Sequence, residues 1–181
     1  VPQQSPSAFK RAVRGRKTCG KGGMPIMNIW HDIAKDRISE KRFEVLIEIP
    51  KGSKCKYELD KDTGILRLDR VLFTSTVYPA NYGFIPRTFA DDGDPLGVIK
   101  MGDDGMRDEK IICGPVNDPT YRGYADIREL PSHIFDEMMH FFEVYKMLEH
   151  KVTTVKKISR RNEAMDIIGK CMQAYDNKYV K

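Results

Sequence analysis

Paired cysteines are missing from this sequence. Its four (Cys19, Cys55, Cys113 and Cys171) are scattered over 181 residues without a Cys-x-x-Cys spacing. That argues against a structural zinc site or a disulfide framework and fits a reducing compartment. No apolar run approaches the length of a membrane span, so a soluble chain is expected. The four histidines (His31, His133, His140 and His150) show no His-Glu-x-x-His or other metal spacing, and no chemistry is assigned to them. Acidic residues are absent from Val1 to Trp30, which carry six basic ones (Lys10, Arg11, Arg14, Arg16, Lys17 and Lys21). The remainder holds 25 basic and 26 acidic residues, so the formal +5 belongs to the leader and not to the body. Such a leader, rich also in Ser, Gly and Pro, is expected to be disordered or the remnant of an organelle transit peptide. A basic arm touching nucleic acid ranks behind both. The expected organisation is a leader over 1–28 and one domain over 29–181. The expected compartment is the cytoplasm, with a plastid or mitochondrion left open by the leader.

What is present changes period along the chain. Phe43, Val45, Ile47 and Ile49 alternate as a strand does, and Pro50-Lys51-Gly52-Ser53 ends the run. Lys56 to Asp60 and Ile65 to Asp69 flank Lys61-Asp62-Thr63-Gly64 and read as a hairpin. Val71 to Val77 is expected to be a further strand, Tyr78 to Pro86 an aromatic turn-rich stretch, and Lys110 to Cys113 a short strand. After Pro131-Ser132, Ile134, Met138, Phe141, Phe142, Tyr145 and Leu148 mark one face of a helix. Ala164, Ile167, Ile168, Cys171 and Tyr175 mark a second, with Asn162 as the expected N-cap. Strands first and helices last imply an α+β fold with a mainly antiparallel sheet or barrel.

The densest chemical signal is acidic. Asp91-Asp92-Gly93-Asp94-Pro95, with Asp103, Asp104 and Asp108, puts six carboxylates into eighteen residues. Carboxylates this close repel, and hard divalent cations such as Mg²⁺ or Ca²⁺ offset them through oxygen ligands. Taken alone, such a stretch reads more readily as a solvated loop. Basic and phenolic residues suited to phosphate lie on both sides of it.

Several segments, in order, resemble family I soluble inorganic pyrophosphatases of the shorter bacterial and plant type. They are Ile47-Glu48-Ile49-Pro50, Lys56-Tyr57-Glu58-Leu59-Asp60, Asp69-Arg70, Tyr78-Pro79-Ala80-Asn81-Tyr82-Gly83-Phe84-Ile85, Asp92-Gly93-Asp94-Pro95, residues 103–110, and His140-Phe141-Phe142-Glu143-Val144-Tyr145-Lys146. Asp-Gly-Asp-Pro alone would be a weak match; the ordered set spans nearly all of the body. The resemblance implies a five-stranded, mainly antiparallel OB-like barrel with two flanking C-terminal helices, and Mg²⁺-dependent hydrolysis of pyrophosphate to two phosphates. It implies Asp92, Asp103 and Asp108 as metal ligands, and Asp94 with Tyr82 as catalytic groups. Glu48 and Glu58 would be supporting carboxylates. Lys56, Arg70, Tyr82, Lys110, Tyr145 and Lys146 would hold phosphate oxygens. It also implies a homo-oligomer, with neither membrane nor nucleic acid as partner. Singly, each residue has a plainer reading: Lys56 and Glu58 as a surface ion pair on one strand face, Tyr82 and Tyr145 as core aromatics, Lys146 as a solvated helix lysine.

One departure stands out. The family carries a further carboxylate two positions after Pro95, where this chain has Gly97. Residues 96–101 resemble the family segment that precedes the later Asp pair, so the chain jumps at Pro95–Leu96. A strand–turn–strand stretch of roughly 15–20 residues is missing there. The expectation is a pyrophosphatase with one or two barrel strands absent, exposed strand edges and impaired activity. A splice form, a gene-model gap and a natural deletion remain as its sources. Two rivals stand beside this reading. Asp92, Asp94, Gly97 and Asp103 fit an EF-hand spacing, but Leu96 occupies a ligand position and the flanks are not helical. A degenerate, non-catalytic binding protein is the other.

Overall fold

The computed structural model describes residues 27–97, 101–103, 106–108, 110–151, 153–154 and 159–180, with the backbone alone for 101–103, 106–108 and 154. Most of the leader and the Val98–Lys100 stretch lie outside the described residues. Strand β1 (Leu46–Ile49) pairs antiparallel with β4 (Tyr82–Phe84). A hairpin joins β2 (Cys55–Leu59) to β3 (Leu66–Val71). The short β5 (Met101–Asp103) lies between β6 (Met106–Asp108) and β7 (Thr153–Thr154). Among the described residues there are three α-helices: α1 (Ile29–Asp32), α2 (Ser132–Val144) and α3 (Arg161–Tyr179). The architecture is α+β with antiparallel sheets and C-terminal helices. Among the described residues the strands form three separate sheets, and no barrel closes.

The β1–β4 seam is exceptionally close. A Cβ on Gly83 would lie 1.8 Å from the Leu46 carbonyl oxygen, so only glycine fits. The register slips between Ile47 and Ile49, a bulge that adds one residue to β1. The bulge corrects the expected alternation. Ile49 is fully buried, but Ile47 is 42% exposed, because the extra residue turns it to the other side. Glu48, inside the bulge, instead accepts the Leu59 N–H at 2.7 Å and ties β1 to β2.

The expected hairpin is present. Its turn is held by Asp60, whose carboxylate accepts the N–H groups of Asp62 and Thr63. Gly64 takes φ +73°, a conformation glycine adopts without steric cost. The expected strand over Val71–Val77 ends at its first residue. Leu72 donates to Lys54 O, and the chain then bends while the Thr74 and Thr76 hydroxyls bond each other at 2.6 Å. Lys110–Cys113 is likewise not a strand; the Ile111 N–H donates to Gly97 O.

Helix α2 starts after Pro131, as its sequence indicates, and buries Phe135, Phe141 and Phe142. Leu148 is not on its face: the helix ends at Val144, and Leu148 is exposed in the turn that follows. Helix α3 begins two residues before the position the Asn162 cap implied, with Arg160 at the N-cap and no side-chain cap bond. Burial of Ile168 and Tyr175, not a cap, holds this end of the chain in place.

Three apolar clusters form the interior. Ile49, Leu72, Tyr78, Phe141, Phe142 and Tyr145 join β1 to α2. Ile38, Ile85, Leu96, Ile111 and Ile168 join the middle of the chain to α3. Trp30, Leu59, Phe84 and Tyr175 form the third. The indole N–H of Trp30 donates to Thr88 O at 2.9 Å, and its ring lies 4.7 Å from His31 and 5.5 Å from Tyr179. Replacing Gly83 with Ala should destabilise the protein by at least about 2 kcal/mol, since backbone and not a flexible side chain must move. An unfolding free energy from urea titration within about 0.5 kcal/mol of the native value would contradict this account of the seam.

Candidate active site

On the hairpin, Lys56 and Arg70 are direct cross-strand partners. Asp69 sits between them: its Oδ2 accepts from Lys56 Nζ at 3.2 Å and from Arg70 Nη1 at 2.7 Å. Lys56 also contacts Glu58, its neighbour on the same strand face. Arg70 Nε lies 3.0 Å from Glu149 Oε1, but the pair lacks hydrogen-bond alignment. Nε and Nη2 of Arg70 are therefore buried without a hydrogen-bond partner. An orphaned guanidinium fork of this kind suits two oxygens of one phosphate.

Aromatic residues form one wall. The rings of Tyr78 and Tyr82 lie 5.6 Å apart, and Tyr78 packs on Phe141 at 4.8 Å. Tyr145 stacks on Phe141 at 5.2 Å. Burial raises the Tyr78 phenol well above its ordinary range, with Tyr82, Tyr145, Arg70 and Glu58 as its charged or ionisable neighbours. Lys146 Nζ lies 5.4 Å from the Tyr145 ring. Lys110 Nζ lies 5.7 Å from the Tyr82 ring. The apolar recess beside Tyr82, lined by Pro79, Ile112, Met138 and Phe142, offers no cation to a polyanion.

The acidic turn faces the hairpin from the other side. Asp92 Oδ1 accepts the Asp94 N–H at 3.0 Å, and Gly93 takes φ +86° between them. Asp94 contacts Lys61 in the hairpin turn. Burial lowers the Lys61 ammonium, while Asp92, Glu58 and Glu48 pull it back up. Glu48 and Glu58 therefore border both the acidic turn and Lys56. Burial pushes the Glu48 carboxyl up to about 7, with Glu58 adding to it and the Leu59 N–H, Lys56 and Lys110 opposing. A carboxyl poised near neutrality inside a charged cleft marks a functional site.

Position 97 completes the geometry. A Cβ there would meet Lys110 Cδ at 2.9 Å, Lys110 Nζ at 3.0 Å and the Tyr82 hydroxyl at 3.3 Å. A side chain at 97 would thus enter the space between Lys110 and Tyr82. Beside it, Leu96 is fully buried, and Phe84 pairs with Gly97.

The structure gathers Glu48, Lys56, Glu58, Arg70, Tyr82, Asp92, Asp94, Lys110, Tyr145 and Lys146 into one continuous neighbourhood. Asp103 and Asp108 lie at positions of the same parity in the β5–β6 ladder, since Met101 pairs with Asp108 and Asp103 with Met106. Their side chains lie outside the described residues. Among the described residues no three of His, Cys, Asp and Glu gather tightly enough to hold an ion. Asp92 and Asp94 supply two oxygen donors in one turn, a set suited to a hard divalent cation. The sequence analysis missed Lys61, Glu149 and the bridging role of Asp69. A lone turn lysine and a glutamate after a helix carry no local signal; only the fold brings them in.

A family model described as inorganic pyrophosphatase matches this chain over residues 45–99 and 95–176. The chain belongs to the inorganic pyrophosphatase family. The two matched pieces overlap at 95–99, as they would if a pyrophosphatase stretch between them were absent. Soluble inorganic pyrophosphatase 2 of Chlamydomonas reinhardtii is 41% identical over 172 residues, covering 83% of this chain and 90% of the relative. Soluble inorganic pyrophosphatase 1 of Arabidopsis thaliana is also 41% identical, covering 81% of this chain and 79% of the relative. The crystal structure of the Thermus thermophilus inorganic pyrophosphatase superposes with a TM-score of 0.70 at 34% identity, covering 73% of this chain and 90% of that one. The Helicobacter pylori pyrophosphatase gives a TM-score of 0.70 at 39% identity, covering 73% and 92%. Among the described residues no helix is long and apolar enough to cross a membrane.

The pKa of Glu48 makes a signed prediction. Its folded value lies above its unfolded one, so between about pH 4.5 and 7 the native state binds more protons than the unfolded state. Stability should therefore fall through that window as pH rises. In chelator, the melting temperature of the native protein should drop relative to Glu48→Gln from pH 5 to 7.5. A constant difference would show that Glu48 titrates normally.

Proposed function

We propose that this protein hydrolyses inorganic pyrophosphate to two orthophosphates with Mg²⁺ as cofactor, at a rate lowered by the stretch absent after Pro95. The observation that carries this reading is Arg70, two of whose buried donors lack a hydrogen-bond partner, set directly across the ladder from Lys56. Membership of a metal-dependent family supports it. A site that sets several cations near carboxylates suits a polyanion that arrives with a metal.

In this reading Asp92, Asp103 and Asp108 would hold the ion, which when bound offsets substrate charge and lowers the pKa of a water. Lys56, Arg70, Lys110 and Lys146 hold phosphate oxygens and neutralise the charge that grows on the leaving phosphate. The Tyr82 and Tyr145 hydroxyls add donors without adding charge. Asp94 orients the attacking water and takes its proton. The water oxygen bonds one phosphorus as the bridging P–O bond breaks. Glu48 and Glu58 hold Lys56 and the β1–β2 junction in place.

The absent stretch explains the lowered rate. It would carry the family's further carboxylate, and this chain passes from Pro95 to Leu96 and Gly97 without one. The reading extends to the OB-like barrel as the parent architecture, with part of its wall absent. It extends also to a homo-oligomer, for which exposed Leu68 and Phe73 on and after β3 offer apolar surface.

A phosphate-release assay with pyrophosphate and Mg²⁺ tests the activity. Turnover is expected, falling at least about a hundredfold in Arg70→Ala and less in Arg70→Lys. Restoring a family-length stretch after Pro95, with its carboxylate, should raise turnover. Tight pyrophosphate binding without phosphate release in both native and restored chains would favour a non-catalytic binding protein instead.

A further inference from the structure

The Asp94 carboxylate is already engaged: its Oδ1 touches the ammonium of Lys61. Several contacts fix where that ammonium can be. Asp60 caps the hairpin turn through the Asp62 and Thr63 N–H groups, at 3.0 and 2.9 Å. Asn28 Nδ2 donates to the Lys61 carbonyl at 2.9 Å. Gly64 packs against the Met27–Asn28 backbone with no room for a side chain. The lysine therefore projects from a braced turn toward the acidic one. Its other charged neighbours are Asp92, Glu58, Glu48 and, of like sign, Lys178.

The pair is roughly half-exposed on both sides, at 43% and 51%, so it adds little to stability. Its consequence lies in binding. An ammonium on Asp94 and a divalent ion on Asp92 repel each other across one short turn, and the ion must displace the lysine or load against it. In the proposed reading, the stretch absent after Pro95 takes with it a carboxylate that would otherwise weigh on the side of the ion.

We propose that Lys61 is a resident counter-cation of the Asp92–Asp94 turn, and that it sets the Mg²⁺ concentration at which the site loads. The proposal rests on the reading of that turn as part of the metal site. It makes Lys61 a tuning residue that acts through Asp94 and not a catalytic one. Metal entry and release of Asp94 to handle water become the same event.

Calorimetric titration of the full chain with Mg²⁺ alone, without pyrophosphate, tests this. Lys61→Gln should bind Mg²⁺ about three- to tenfold more tightly than the native chain, and the gain should shrink at high salt. Lys61→Arg, which keeps the charge, should stay close to native. Asp92→Asn should bind more weakly. If Asp92→Asn weakens binding but Lys61→Gln does not tighten it, the proposal fails and the metal reading stands. Equal tightening by Lys61→Arg and Lys61→Gln would also overturn it, since charge would then not be the cause. If no variant differs from native, or none binds Mg²⁺, the metal reading fails with it.

Discussion

The approach of β4 onto β1 at Gly83 is the constraint from which the site follows. Backbone meets backbone there without an intervening side chain, so the two strands are held closer than any alanine would allow. That closeness places Tyr82, at one end of β4, beside the bulge that carries Glu48. The bulge turns Glu48 away from solvent and onto the Leu59 N–H, which aligns the hairpin bearing Lys56, Glu58 and Arg70. A buried carboxylate is costly unless something donates to it, and here the donor is the backbone of the next strand. Loosening the seam would misplace the phenol, the carboxylate and both cations together.

The charges are arranged so that each sign has a use for the other. Asp69 spans Lys56 and Arg70 and keeps two like charges at adjacent ladder positions. Arg70 nonetheless keeps part of its fork unsatisfied, because Glu149 lies near it at an unfavourable angle. Unsatisfied buried donors cost stability, and they persist where a ligand is to complete them. The junction after Pro95 shows the same economy in apolar form. Leu96 fills the second core cluster, and Gly97 pairs with Phe84, so the chain after Pro95 closes on its neighbours.

Much of this was legible in the sequence, for reasons particular residues make plain. The hairpin was readable because both strands alternate and Asp60 with Gly64 signs the turn. Helix α2 was readable from its aromatic spacing after Pro131. The ordered motifs identified the family. What escaped had non-local causes. Ile47 broke its alternation because a bulge depends on the partner strand. Val71–Val77 looked like a strand because β-branched residues favour one, yet the Thr74–Thr76 bond and the following Pro79 favour a bend. Asn162 seemed a cap because caps are local, but packing of Ile168 and Tyr175 places the helix instead. Lys61 and Glu149 reach the site only through tertiary contact, which no spacing rule registers.

Trp30 is the one tryptophan of the chain, and its ring is buried among His31, Tyr175 and Tyr179. Its fluorescence is thereby an intrinsic optical reporter of whether the C-terminal helix is seated. Undocking of that helix would wet the indole and red-shift its emission, in a signal free of the eight tyrosines when excitation lies beyond the tyrosine absorption band. The molecule carries its own gauge of whether its last segment has come home.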